Sequence, residues 1–195
     1  MKMIGLTGGI GSGKTLVTHF LSNLNVNVYQ ADLISKVLLA TDHDIKQQII
    51  SWFGEEAYHN DLPDTEFLAE QIFNDPVARE QVNALVHPKV FNFFREMASK
   101  KNPSPYMIVE SAILFESGYY KDFDATILVK APLEVRIERV LKREGMTREK
   151  ILTRMNSQWP DSQKEELADY IILNDGIMAL TPQIMAIHQT IMEAN

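Results

Sequence analysis

Apolar positions along the chain alternate between short contiguous runs and stretches with helical spacing. Met3, Ile4 and Leu6 form the first run, and further β-type runs fall at 26–30, 106–110, 124–130 and 169–173. Each is short, rich in β-branched residues and bounded by polar or turn-forming positions, as buried strands are. Between them the period changes. Leu16, Val17, Phe20, Leu21 and Leu24 recur as one face of a helix, and Leu133, Ile137, Val140 and Leu141 trace another. Strands separated by helices imply right-handed crossovers. The pattern therefore predicts a three-layer αβα fold with a mostly parallel sheet of about five strands. Ligands of such sheets bind at the carboxyl ends of the strands. The positions to inspect are thus Gln30 to Asp32, Glu110 to Glu116, and Asn174 to Gly176.

One interval is too long for a crossover. About 65 residues separate the second strand from the third, and they carry helical patterns at Ile45 to Phe53, Phe67 to Phe73, Val77 to Val86 and Val90 to Met97. We read residues 1–195 as a single domain with a helical insertion at about 42–102, a substrate lobe or lid over the sheet. An elaborated structural crossover is the other reading.

The turn after the first strand changes the picture from fold to chemistry. Residues 5–15 read GLTGGIGSGKT, with five glycines in eleven positions. Glycine costs backbone entropy and packs nothing, so its concentration needs a cause. Gly8, Gly13, Lys14 and Thr15 fit the phosphate-loop spacing of glycine, four residues, glycine, lysine and a hydroxyl residue. A strand before and a helix after complete that context. Backbone N–H groups converge on an anion only where side chains leave room, and the positive end of the helix adds its field. Gly8, Gly9, Ile10, Gly11, Ser12, Gly13, Lys14, Thr15 and Leu16 are thus expected around a nucleotide's phosphates, with Lys14 on the β and γ phosphates and the Thr15 hydroxyl on Mg²⁺.

Composition narrows the classes. The chain has 195 residues, 45% of them hydrophobic and 23% charged, ordinary values for a globular domain. It has no cysteine, so disulfides, thiolate metal sites and a cysteine nucleophile are excluded. No apolar run reaches membrane-spanning length and no signal sequence precedes the first strand, so a cytoplasmic protein with no membrane association is expected. The net charge of −7 argues against a nucleic-acid partner. No obligate protein partner is expected. The charge is uneven: residues 136–154 carry seven of the nineteen basic residues against three acids. Arg136, Arg139 and Arg143 lie at i, i+3 and i+7, one flank of a helix beside its apolar face. Either this is a solvated face, or at least one arginine points into a nucleotide cleft. We read about 136–158 as an arginine-rich lid.

A signalling GTPase would carry Asn-Lys-x-Asp and Asp-x-x-Gly, and neither occurs here. A motor or ring ATPase would bring more length and a strand ending in aspartate, whereas the third strand ends in Glu110. A small-molecule kinase fits the size, the insertion and the arginines. At this point the chain resembles the dephospho-coenzyme A kinases over nearly its whole length. The resemblance rests on Gly8 to Thr15, Ala31-Asp32, His87-Pro88 opening a helix, Leu114-Phe115-Glu116, Arg139 and Arg143, Arg154 and Gln158, and Ala168-Asp169 leading to Asn174. It departs from the family where Gln30 replaces the first acid of Asp-Ala-Asp, removing a carboxylate. It departs again where Ala112-Ile113 precedes Leu114, and where Arg136 replaces a common glutamine.

What the resemblance implies is ATP-dependent phosphorylation of the ribose 3′-hydroxyl of dephospho-CoA, with ATP and dephospho-CoA as small-molecule partners and Mg²⁺ as cofactor. Lys14, Asp32 and Arg139 would be catalytic, and Arg143 and Asn174 would join the loop in holding ATP. Asp32, His87, Phe115 and Glu116 would hold the acceptor, and Thr15 the metal. A carboxylate is a weak base at neutral pH, so orientation would be the larger contribution of Asp32. Asp32 also sits where a helix cap would, His87 and Phe115 where packing residues would, and Asn174 near Gly176 where a turn would. Another nucleoside or nucleotide kinase, or a nucleotide-dependent switch or binding protein, remains the alternative.

Overall fold

The computed structural model describes residues 1–101 and 103–194. In chain order the elements begin with β1 (Lys2–Thr7), α1 (Lys14–Asn23) and β2 (Asn27–Gln30). They continue through α2 (Ala31–Thr41), α3 (His43–Phe53), β3 (Tyr58–His59), β4 (Leu62–Pro63), α4 (Thr65–Asn74) and α5 (Pro76–Ser99). The last third contains β5 (Tyr106–Glu110), β6 (Ala125–Lys130), α6 (Leu133–Glu144), α7 (Arg148–Asn156), α8 (Asp161–Glu165), β7 (Tyr170–Leu173) and α9 (Leu180–Glu193). The chain folds into two compact units. One comprises Met1–Gln30 with Lys100–Asn195, the other Ala31–Ser99.

The first unit is built on a five-stranded sheet in the order β2-β5-β1-β6-β7, every pair parallel. Register is set by pairs such as Ile4↔Ile108 and Leu6↔Ile127. β5 (YMIVE) and β6 (ATILVK) read as near-continuous apolar runs because helices cover both faces. Ile4, Leu6, Ile108, Ile127, Val129 and Ile172 pack with Val17 and Leu21 of α1 and Ile184 and Ile191 of α9 into one core. A second cluster, Ile137, Val140, Ile151 and Met155, joins α6 to α7. Leu133 and Leu141, expected on the core face of α6, are instead half exposed. The apolar cluster takes only the narrower Ile137–Val140 stripe.

The second unit is helical, with a two-stranded antiparallel hairpin of β3 and β4. Asn60 and Asp61 turn that hairpin with φ of 51° and 65°, the left-handed pair that suits strand twist. Aspartates open three of its helices. Asp42 accepts from Ile45 N, Asp64 from Glu66 N and Phe67 N, and Asp75 from Val77 N and Ala78 N. The patterns at Val77 to Val86 and Val90 to Met97 belong to one 24-residue helix, α5, with Pro88 inside it rather than opening a second helix. Proline forfeits the bond to the Ala84 carbonyl. Burial of Val86, Val90, Phe91 and Phe94 around it holds the two halves as one.

Candidate active site

At the carboxyl end of β1 the chain turns through the glycine loop into α1. Gly13 caps the helix in the left-handed region, φ 100°, and no side chain bonds the first N–H groups. A Cβ on Gly13 would stand 2.1 Å from Asn174 Nδ2, so this position requires glycine on both counts. The first N–H groups and positive end of α1 are thereby uncapped by any side chain and face an anion site.

The loop is braced from within and from distant segments. Ser12 N donates to Gly9 O, and Lys14 Nζ donates to Gly8 O at 2.9 Å while lying 3.8 Å from Glu110 at the end of β5. Asn174, beyond β7, is buried and donates from Nδ2 to Ser12 O at 2.8 Å. Arg139 of α6 donates to Asn174 Oδ1 at 3.1 Å and, at 3.5 Å, to Gly11 O and Ser12 O. A cavity of about 400 Å³ lies against this assembly. Lys14, Thr15, Arg139, Arg143 and Asn174 line it, together with Ile10, Gly11, Gly13 and Leu16 of the loop and Val140. Gly8, Gly9 and Ser12 back the loop and do not line the cavity.

Two arginines of the flank thus reach the cavity and one does not. Arg136 is buried, with Nε donating to Ile10 O at 2.8 Å and Nη1 3.2 Å from Asp161 Oδ2.

A second polar cluster follows β5. Ser111 N donates to Leu6 O, extending the β5–β1 pairing. Phe115 is fully buried with its ring edge-on to Tyr120 at 5.2 Å. Glu116 accepts from Trp159 N at 3.1 Å and lies 2.7 Å from the buried Lys164 Nζ. Glu116 Oε2 is buried without a hydrogen-bond partner. Gln158 links this segment to the loop, accepting from Ile10 N and donating to Ala112 O. The remaining sequence candidates belong to the helical unit. Asp32 is exposed in the first turn of α2, inside the helix rather than at the capping position before it. His87 is half-buried within α5, and burial lowers its pKa below the usual imidazole value. The sequence pattern marks neither Arg136 and Asp161 as parts of the loop's support nor Lys164 as the partner of Glu116. A buried charge on an amphipathic helix leaves no periodic signature.

The parallel sheet with β1 at its centre, the glycine loop and the cation-lined cavity define a phosphate-loop nucleotide-binding protein. A family model described as dephospho-CoA kinase matches residues 2–179. A dephospho-CoA kinase of Bacteroides fragilis is 41% identical over 182 residues, covering 93% of this chain and 89% of that protein. Among solved structures, one from Thermus thermophilus superposes with a TM-score of 0.82 at 29% identity, covering 100% and 98% of the two chains. A dephospho-CoA kinase from Campylobacter jejuni shares the fold with a TM-score of 0.71 at 24% identity, over 99% and 98%. The chain belongs to the dephospho-CoA kinase family. It is a kinase, and the family uses ATP.

Proposed function

We propose that this chain transfers the γ-phosphoryl group of ATP to the ribose 3′-hydroxyl of dephospho-CoA, giving CoA and ADP, the last step of CoA biosynthesis. The observation that supports it most is the cavity against the glycine loop. Lys14, Arg139 and Arg143 bring three cations there to a cradle of backbone N–H groups. Phosphoryl transfer needs little else from a protein than positioning and neutralisation of charge.

In this reading Lys14 leaves Gly8 O for the β and γ phosphates, and Asn174, in the cavity wall, holds the Ser12 carbonyl and contacts ATP. Arg139 and Arg143 offset the charge that spreads over the transferred group. The acceptor oxygen bonds to the γ phosphorus as the bridge to the β phosphate breaks, and ADP leaves. Asp32 orients the acceptor hydroxyl and takes its proton, passing it to solvent. The helical unit Ala31–Ser99, an insertion between strands, serves as the acceptor lobe. His87, Phe115 and Glu116 help hold the acceptor.

Mg²⁺ fits the residues present. Among the described residues no cluster of three or more acidic or histidine ligands forms a cage. Mg²⁺ characteristically keeps one or two protein oxygens and takes the rest from phosphates and water. Thr15 lines the cavity next to Lys14, and its hydroxyl would hold the ion there. The metal would neutralise charge between the β and γ phosphates. Among the described residues no helix is long and apolar enough to cross a membrane. On this reading the reaction runs in the cytoplasm, where the donor nucleotide is plentiful.

The test is coupled ADP release with dephospho-CoA, nucleoside monophosphates and small hydroxy acids as acceptors. Rapid turnover confined to dephospho-CoA is the expected result. Preference for a nucleoside monophosphate, or no acceptor-dependent ADP release, would overturn the assignment.

A further inference from the structure

Ile10, in the middle of the glycine loop, is gripped at both ends of its backbone. Its N–H donates to Gln158 Oε1 at 3.0 Å and its carbonyl accepts from Arg136 Nε at 2.8 Å. Its side chain packs on the cluster of Ile137, Val140, Ile151 and Met155. Arg136 is itself held. Its Nη1 donates to Asp161 Oδ2 at 3.2 Å, and the Arg136 side chain is only 10% exposed. The guanidinium lies so close over Gly9 that a Cβ there would stand 2.0 Å from Nη2.

The consequence follows from peptide geometry. In a trans peptide the C=O and the next N–H point in opposite directions. Turning the Ile10 carbonyl outward to Arg136 therefore sends the Gly11 N–H the other way, toward the cavity that Gly11 lines. Among the described residues no protein acceptor meets that N–H. A cation on the carbonyl also polarises the peptide and strengthens its N–H as a donor.

We infer that Arg136 is a positioning residue. Fixed by Asp161, it holds the Ile10 carbonyl outward and so aims the Gly11 N–H at the nucleotide's β phosphate. The inference rests on the nucleotide reading above. It separates Arg136 from Arg139 and Arg143, which line the cavity themselves.

The experiment is calorimetric titration with ADP and AMP for the wild type, R136M, R136K and D161N, with thermal melts alongside. Wild type should prefer ADP over AMP. R136M should lower that preference about tenfold, the scale of one misdirected bond to a charged group. R136K, able to donate to Ile10 O but without a fork to reach Asp161, should recover part of it. D161N should show a smaller loss with the fold intact. A merely structural ion pair would lower the melting temperature and leave the ADP:AMP ratio alone. R136M and D161N that keep the wild-type ratio would overturn the inference, and if R136M does not fold the D161N ratio decides. A wild type with no preference for ADP would instead overturn the nucleotide reading itself.

Discussion

The glycine loop and the helical unit Ala31–Ser99 are stabilised by different means. The loop is fixed by groups far away in sequence: Arg136 and Arg139 on α6, Gln158 after α7, and Asn174 after β7. The helical unit leans more on local bonds, with Asp42, Asp64 and Asp75 each capping the helix that follows and Lys89 of α5 pairing with Asp42. Several of its apolar residues stay uncovered: Phe73 is 80% exposed and Val77 65%. α2 buries no residue fully. The difference teaches where precision is required. Donors that stabilise transferring charge act only if their direction is set before reaction, which takes rigid long-range bracing. A helical lobe needs only to fold, and local caps suffice for that.

This separation can be broken by experiment. The largest effect is expected at Asp32. Asp32→Asn should lower kcat with dephospho-CoA by about 10²–10⁴-fold, the usual span of a general base. ADP affinity and the melting temperature should stay as in the wild type, because the side chain is exposed inside the first turn of α2. Normal turnover in this variant would remove Asp32 from the chemistry.

Lys14→Ala should cost about 10²–10³ in kcat, the loss seen when one preorganised donor is deleted. Its fold should survive, since the lysine's internal bond to Gly8 O is one of several that brace the loop. An unchanged ADP-release rate would sink the phosphate-loop assignment.

Asp42→Ala should do the opposite. Its carboxylate accepts from Ile45 N at 3.0 Å and from Lys89 Nζ at 2.6 Å. Burial opposes the charged form, but Lys89 and the helix N–H groups outweigh it and hold the carboxyl below its ordinary value. Loss of a cap costs about 1–2 kcal/mol. A lowered melting temperature with an unchanged Kd for ADP is expected. A changed Kd would mean that the two units are not separable in this way.

The smallest effect is a pH dependence. Burial lowers the pKa of His87 in the helical unit and of His188, bonded to Tyr106, in the other. A depressed folded pKa means the unfolded chain binds the extra proton first. Stability from each histidine is therefore fully present above about pH 6.5 and is lost as pH falls toward the folded value. His87→Gln should flatten the fall in melting temperature between about pH 7 and pH 5, leaving the share due to His188. An unaltered slope would show that His87 titrates alike folded and unfolded.

Much of the fold is legible in the pattern of apolar positions. The strand runs reappear as β1, β2, β5, β6 and β7; the central β1, β5 and β6 are apolar along their length because both faces are buried, while the edge strands β2 and β7 keep partly exposed positions. Pro88 misleads, since a helix breaker reads as a boundary unless burial on both sides overrides it. The hairpin of β3 and β4 leaves no mark in the pattern, as two residues per strand show no period. Leu133 and Leu141 share the spacing of a core face, yet only Ile137 and Val140 meet the neighbouring helix.

The sequence by itself determined the loop. Gly8 to Thr15 is contiguous, and its backbone demands are met by the residues that occupy it, so spacing alone carries the chemistry. What only the tertiary structure decided is how that loop is held. Arg136, Arg139 and Arg143 share one helical flank and look equivalent along the chain. One is buried against the Ile10 carbonyl and Asp161, while the others line the cavity. The physical reason is the range of the interactions. A turn is specified by the torsions of its own residues, whereas a polar clamp between Ile10 and residues 126 and 148 positions away exists only after the sheet has brought them together.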